Sequence, residues 1–288
     1  MFCATTERAT RDFQRARGLH ANGICDEHTW TALVEASWKP GDRQLLLTSP
    51  NLRGDDVADL QTRLARLGFD CGRVDGIFGP RTSRALADFQ SNCGVLPDGV
   101  CGPDTLRIIV RVSGQTGSGP GVGAVRERES LRAGFESLAN CRVVVGQFGG
   151  LSGLTRALAR ELRQRGATVM PLDEPDAVAQ AVAANHFGAD VYVGFQGHTE
   201  ATAVAHYYQV PAFESAGGRS LAELIAQEMA AVPGLDPAVS GMRLPVLRET
   251  RMPAVLVTVG PVRVATDATP RLAQSVLRAL DLWILRTA

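Results

Sequence analysis

Lysine is almost missing from this chain: of its thirty Lys and Arg residues only Lys39 is lysine, a bias of codon usage more than of chemistry. Charge of one sign is missing too. Thirty basic side chains face thirty acidic ones, for a formal net charge of zero. The balance also holds locally, at 14 against 14 in residues 1–112, 3 against 3 in 113–140, and 13 against 13 in 141–288. No region offers the one-signed field that gathers a phosphate backbone or an anionic membrane, so nucleic acid is excluded as the default partner. No apolar run reaches the roughly eighteen residues of a transmembrane helix, so no membrane span is expected. The first thirty residues lack the apolar core of a signal peptide, and six cysteines make no dense framework in a chain this long. A reduced, cytoplasmic protein is the expectation.

What is present is a repeat. Sliding the chain against itself by 76 residues brings Phe2, Thr6, Arg8, Ala9, Asp12, Phe13 and Gln14 onto Phe78, Thr82, Arg84, Ala85, Asp88, Phe89 and Gln90. Gly18, Gly23, Cys25 and Thr29 then meet Gly94, Gly99, Cys101 and Thr105. The second copy is complete. Val57, Leu60, Leu64 and Leu67 recur at helical spacing, Gly68 stops that helix, and Asp75-Gly76 turns the chain. A second helix begins at Thr82 with Ala85, Leu86 and Phe89 inward, and the Asp98-Gly99 turn leads to a third at Thr105. Helices this short must pack into a small bundle to persist. The first copy lacks its opening helix, because Met1 aligns with Ile77, in the middle of a turn. Either the natural product starts upstream or the first copy is partly ordered, and Phe13, Leu19, Trp30 and Leu33 are expected to be exposed.

The pattern LxxLGF, VDGIFGPRTxxALxxFQ and GVLPDGVCGPDTL resembles the bacterial peptidoglycan-binding domain of the three-helix type, fully over residues 55–110 and partly over 1–34. That resemblance implies tethering to glycan strands or stem peptides of the cell wall. The Asp-Gly, Phe-Gly-Pro and Phe-Gln elements read as fold determinants. Polar groups along the second helix, Arg81, Arg84, Gln90 and Asn92, are the candidates for ligand contact.

The sequence therefore divides into a partial peptidoglycan-binding repeat at 1–37, a complete one at 54–112, a linker at 113–140 and a last domain at 141–288. Residues 113–123 are Gly- and Ser-rich coil, and the charged stretch 126–132 reads as a short solvated helix. From Cys141 strands and helices alternate: strands at 142–145, 167–170, 189–195, 203–209 and 254–259, helices at 154–165, 176–187, 221–232 and 270–285. Such alternation predicts an α/β domain with a mostly parallel sheet, and so an α+β multi-domain chain overall.

The segments Gly188-Ala-Asp-Val-Tyr-Val and Val246-Leu-Arg-Glu-Thr-Arg-Met-Pro-Ala-Val-Leu-Val resemble the zinc-dependent N-acetylmuramoyl-L-alanine amidase domain. Two binding repeats followed by this domain match the CwlM-type family of bacterial cell-wall amidases. The resemblance implies a zinc held by two His and one Glu, leaving an open position for water, and a separate Glu that shuttles a proton to the leaving amide nitrogen. The first family ligand lies in an Asp-Pro-Gly-His-Gly-Gly segment, where this chain has Gly146-Gln147-Phe148-Gly149-Gly150. The loop that should carry the Glu ligand is contracted to Leu151-Ser-Gly-Leu, and Glu161 reads as a surface residue of the following helix. Gln196 stands at the third ligand position, with His198 two residues on, and Thr258 replaces the catalytic Glu. No cofactor is therefore expected, zinc included, and Phe148, Gln196 and Thr258 are vestigial cleft positions with Gln196 and His198 as candidate ligand contacts.

The expectation is a non-catalytic peptidoglycan-binding or cell-wall regulatory protein with a pseudo-amidase domain, recognising a peptidoglycan fragment or precursor or an enzyme of its synthesis. The alternative is an active amidase with a metal site rebuilt from His186, His198 or His206. A metal site from Cys3, His20, Cys25 and His28 is disfavoured because the second copy has Gly79, Leu96, Cys101 and Asp104 there. Cys71 and Cys93 are a disulfide candidate only if the chain is exported.

Overall fold

The structure is a computed structural model that describes residues 3–114, 127, 137–211 and 213–287. The stretch 113–140 read as linker, including the short solvated helix at 126–132, lies almost wholly outside the described residues. Two units divide the chain, the main changeover falling between residues 126 and 127.

The N-terminal unit holds α1 (Ala4–Ala16), α2 (Glu27–Ser37), α3 (Asp55–Arg66), α4 (Pro80–Asn92) and α5 (Pro103–Ser113). The bounds of α1 and α2 reappear 76 residues later as those of α4 and α5. Proline opens α4 and α5 at the first turn, where its missing N–H is no loss. Asp26 caps α2 by accepting from the Thr29 N–H at 2.8 Å. Val57, Leu60 and Leu64 of α3 are buried with Phe78, Leu86, Phe89 and Ile109 in one core, each such side chain contributing about 1.5–3 kcal/mol. Phe69 meets Phe89 edge to face at 5.5 Å.

Three buried glutamines organise the turns of this unit in the same way. Gln14 donates to Asn22 Oδ1, the Ile24 carbonyl and the Thr29 hydroxyl, and accepts from the Gly23 N–H. Gln61 donates to Asp75 Oδ1, the Ile77 carbonyl and the Thr82 hydroxyl, and accepts from the Asp75 and Gly76 N–H groups. Gln90 repeats the pattern with Asp98, Val100, Thr105 and Gly99. Each glutamine thus bolts one helix to the next turn and to the first turn of the helix beyond it. The smallest repeating element is helix, turn and helix start, nested within the 76-residue period. Between the copies, Arg43 grips the buried Asp56 at 2.8 Å and lies over the Trp38 ring at 4.2 Å. Leu45 bridges to Cys101 and Arg53 to Ile77, so the 38–54 connection is tied into the second copy.

The C-terminal unit carries β1 (Arg142–Gln147), α6 (Ser152–Gln164), β2 (Thr168–Asp173), α7 (Ala177–Phe187), β3 (Val191–Gly197), β4 (Thr202–Val210), β5 (Phe213–Glu214), α8 (Ala216–Met229), β6 (Ala238–Met242), α9 (Pro245–Glu249), β7 (Ala254–Gly260), α10 (Val262–Asp267) and α11 (Thr269–Thr287). The sheet runs β2-β1-β3-β7-β4-β5, with β6 beside β4. Strand pairs β1–β2, β1–β3, β3–β7 and β4–β6 are parallel and β4–β7 is antiparallel, as the mostly parallel reading requires. Leu154, Leu158 and Leu162 of α6, Leu221 and Ile225 of α8, and Val276, Leu280 and Trp283 of α11 share one core with Val143, Val145, Val193 and Val257. The intervening Val144 and Tyr192 point to the opposite face, since side chains alternate along a strand. There α7 is joined to α9 through Asn185, which donates to the Glu249 carbonyl at 2.8 Å and accepts from Arg251 N at 2.9 Å. Four elements of this unit, β5, β6, α9 and α10, were not read from the sequence.

Candidate functional site

Parallel strands β1, β3 and β7 finish side by side, and their last residues carry the positions singled out in the sequence. Gln147 lies in register with Asp173 of β2 and Phe195 of β3, and Gln196 lies in register with Thr258 of β7. Strand ends of this kind are where parallel α/β sheets build their sites, because the connecting loops converge there. Gln196 is exposed, while Phe148, His198 and Thr258 are half-buried.

Backbone hydrogen bonds knit the loops at this end. The Phe148 N–H donates to the Phe195 carbonyl at 2.9 Å, His198 N–H to the Val259 carbonyl at 3.0 Å, and Val262 N–H to the His198 carbonyl at 3.0 Å. Gly197 permits a close approach: a Cβ there would lie 2.8 Å from Val262 Cγ2 and 3.2 Å from the Gly149 carbonyl. His198 Nδ1 accepts from the Glu200 N–H at 3.1 Å, so one lone pair of that imidazole is already engaged in holding its own loop.

Beneath these loops lies a buried network that sequence reasoning missed. Gln147 is buried; its amide donates to Asp173 and its oxygen accepts from the Leu151 N–H at 3.3 Å. Gln180 of α7, also buried, donates to the carbonyls of Gln147 at 2.8 Å and Glu174 at 2.6 Å, and accepts from the Tyr192 hydroxyl at 2.7 Å. Burial in this apolar layer pushes the Tyr192 phenol above its ordinary range. Gly146 makes room for the pair, since a Cβ there would sit 2.5 Å from the Tyr192 hydroxyl. A glutamine ending a strand carries no signal beyond its type; the hint was Gln180, a polar residue among the alanines and valines of the first two turns of α7.

The remaining candidates are dispersed. Glu161 is a half-buried residue of α6 beside Arg160 at 3.9 Å. His186 ends α7, His198 follows β3 and His206 lies within β4. Cys3, His20, Cys25 and His28 are all exposed. Among the described residues no three His, Cys, Asp or Glu side chains come together as a metal site would require, and no helix is long and apolar enough to cross a membrane. Chemically, the strand ends offer amides, the Thr258 hydroxyl, one half-engaged imidazole and the Asp173 carboxylate already bonded to Gln147.

In the N-terminal unit, Arg81 and Arg84 are exposed along α4 and Asn92 donates to the Asp88 carbonyl at 2.7 Å. Gln90 is a correction to the candidate set: it is buried and its amide is consumed by the Asp98 turn, so it holds the fold and faces no ligand.

Comparison with known proteins places both units. Residues 1–33 and 53–109 match the family described as "Putative peptidoglycan binding domain". The class is thus a peptidoglycan-binding helical unit joined to an amidase-like α/β domain. Over 327 aligned residues the chain is 35% identical to the N-acetylmuramoyl-L-alanine amidase CwlM of Mycobacterium tuberculosis, covering 99% of this chain and 80% of that protein. The chain belongs to the CwlM-like N-acetylmuramoyl-L-alanine amidase family. A spore cortex-lytic enzyme of Bacillus cereus is 43% identical over 60 residues, 21% of this chain and 23% of that protein. The catalytic domain of CwlV, an N-acetylmuramoyl-L-alanine amidase from Bacillus (Paenibacillus) polymyxa var. colistinus, superposes on 51% of this chain and 99% of its own at 17% identity, with a TM-score of 0.42.

Proposed function

We propose that this chain is a non-catalytic member of its family: it binds peptidoglycan fragments or precursors through its helical repeats and regulates wall metabolism, with an enzyme of peptidoglycan synthesis as its protein partner. The observation that carries this reading is the donor set at the strand ends. Zinc hydrolysis needs three lone-pair donors of the His or carboxylate kind, plus a base for the attacking water. Phe148, Gln196 and Thr258 supply none of these, and Gln147 is tied to Asp173 and Leu151. The framework beneath is ordered and closely bonded, from the strand register to the buried Gln180–Tyr192 pair, which favours a folded domain that binds over a decayed one.

Zinc content of the purified chain after dialysis, measured alongside muropeptide hydrolysis, tests the reading. The expected result is no stoichiometric zinc and no cleavage, with muropeptides retained by the repeats. One zinc per chain, lost on His198→Ala together with amide cleavage, overturns it in favour of a rebuilt amidase site.

A further inference from the structure

A cavity of about 410 Å³ opens in the C-terminal unit where α10 turns into α11, lined by Pro233, Val264, Asp267, Ala268, Pro270 and Arg271. That volume lies within the range of small-molecule sites. Positions 264, 267, 268 and 271 are three and four residues apart, so they share one side of the α10–α11 junction. Val262 packs on Gly150 and Gly197 at the strand ends and lies on the other side, which separates the cavity from the site described there. The walls are held from beneath. Ala265 and Leu272 are 0% and 1% exposed, and Val232 beside Pro233 is 2% exposed. Two of the lining residues are prolines, which have no rotamers to lose when a ligand arrives.

The two charges on this wall are left open to a ligand. Glu7–Arg11, Asp59–Arg63 and Arg219–Glu223 are acid–arginine pairs four residues apart, and they close to 2.7, 2.6 and 2.8 Å. Asp267 and Arg271 have the same spacing, yet among the described residues neither side chain makes an ion pair or a hydrogen bond. Asp267 ends α10, whose last turn holds no basic residue, and Arg271 stands in the first turn of α11, which holds no acidic one. Each charge thus occupies the unfavourable end of its helix. We propose that this cavity binds the zwitterion of a free α-amino acid with an apolar side chain. The ligand ammonium lies against Asp267, its carboxylate against Arg271, and its side chain against Val264, Ala268 and the two prolines. Charge-assisted hydrogen bonds at both ends fix the orientation. A zwitterion compensates both charges at once, whereas a simple anion or cation leaves one of them unmet. This site is independent of the strand-end cleft and of whether the chain hydrolyses anything.

The experiment titrates the methyl-labelled full chain with L-alanine and L-valine, following the methyl resonances of Val264 and Ala268 by NMR. Propionate and ethylamine serve as the single-charge analogues. The expected result is a saturable shift with a Kd on the order of 1 mM for the amino acids, and no shift with either analogue at the same concentrations. Asp267→Asn and Arg271→Gln should each weaken binding by at least ~10-fold. Both positions are exposed, so both variants fold, and unchanged resonances of the core residues Val143 and Val257 check this. No saturable shift at ~20 mM of either amino acid overturns the proposal. So does binding that survives both substitutions, and so does propionate binding as tightly as alanine, which makes the cavity a plain anion site.

Discussion

Replacing Gln61 by Leu isolates what the buried glutamines contribute. Gln61 is 1% exposed, so its partners have no water to fall back on. The leucine fills much of the same volume but removes an acceptor 2.8 Å from the Gly76 N–H and donors 3.1 Å from the Ile77 carbonyl and the Thr82 hydroxyl. The Asp75 carboxylate is half-buried and rehydrates, and the Ile77 carbonyl keeps the Gly79 N–H at 2.9 Å, whereas the Gly76 and Asp75 N–H groups lose their shared acceptor and are stranded. Each stranded backbone group costs about 1–3 kcal/mol, and the added apolar surface returns about 1 kcal/mol. The net loss is about 1–5 kcal/mol. A repeat of roughly 60 residues holds only about 3–9 kcal/mol in total, so Q61L removes a large fraction of it. Hydrogen-exchange mass spectrometry on the full chain reads the effect. Peptides from α3, α4 and α5 should exchange ~5- to 5,000-fold faster, while peptides from the C-terminal unit serve as an unchanged internal reference. Thr62→Ala, one residue along, breaks only a hydroxyl bond to the Ala58 carbonyl on the half-buried side and should stay within about 0.5 kcal/mol. Exchange in Q61L within threefold of the parent refutes the argument that the glutamine network holds the turns.

Two further measurements follow from the same geometry. Cys3, Cys25 and Cys93 are exposed while Cys71, Cys101 and Cys141 are buried; burial pushes the Cys71 and Cys101 thiols up to about 12 and Cys141 to about 11, and the Thr6 hydroxyl lowers Cys3 to about 7. A thiol-disulfide reagent at pH 7.5 should therefore modify three cysteines in the native chain, Cys3 first, and the other three only on unfolding; early labelling of Cys71 counts against the packing described. The Asp98 carboxylate, held below its usual range by the Val100 N–H and then by the Gln90 amide, is the acid-sensitive link of its turn. Its folded value is depressed, so the stabilisation is complete above about pH 5 and is lost as the pH falls through about 3.9 towards the folded value. Asp98→Asn should flatten that acid limb in urea titrations of the second copy, and an unchanged pH profile counts against the assignment.

The first copy has already made that substitution, and this shows where sequence reading succeeds and where it stops. Asn22 stands 76 residues before Asp98, and its Oδ1 accepts from Gln14 at 3.0 Å and from the Ile24 N–H at 2.8 Å, matching Asp98 with a neutral oxygen. The repeat was legible because its apolar residues recur at helical spacing and its glycines mark turns. The reason for the conspicuous Phe-Gln pair was not, because a glutamine on a helix reads as solvated until its neighbours are known. The sequence reads Phe-Gln as a fold determinant and still leaves Gln90 among the candidate ligand contacts, although the Asp-Gly turn eight residues on and the threonine fifteen on are both visible. The α/β order was legible in the same way, from runs such as Val143–Val145 and Ala254–Val259, whereas β6 is a short, exposed strand with no period of its own and α9 and α10 are single turns too brief to show one. At the strand ends, residue type alone identified Phe148, Gln196 and Thr258 as poor zinc chemistry. It could not reveal that Gln147 and Gln180 fill the space beneath them with a closed set of hydrogen bonds, because that set joins residues up to 33 positions apart. A network so complete leaves the polar groups under the cleft already satisfied, so any ligand there must bind the exposed rim around Gln196 and not displace a buried partner.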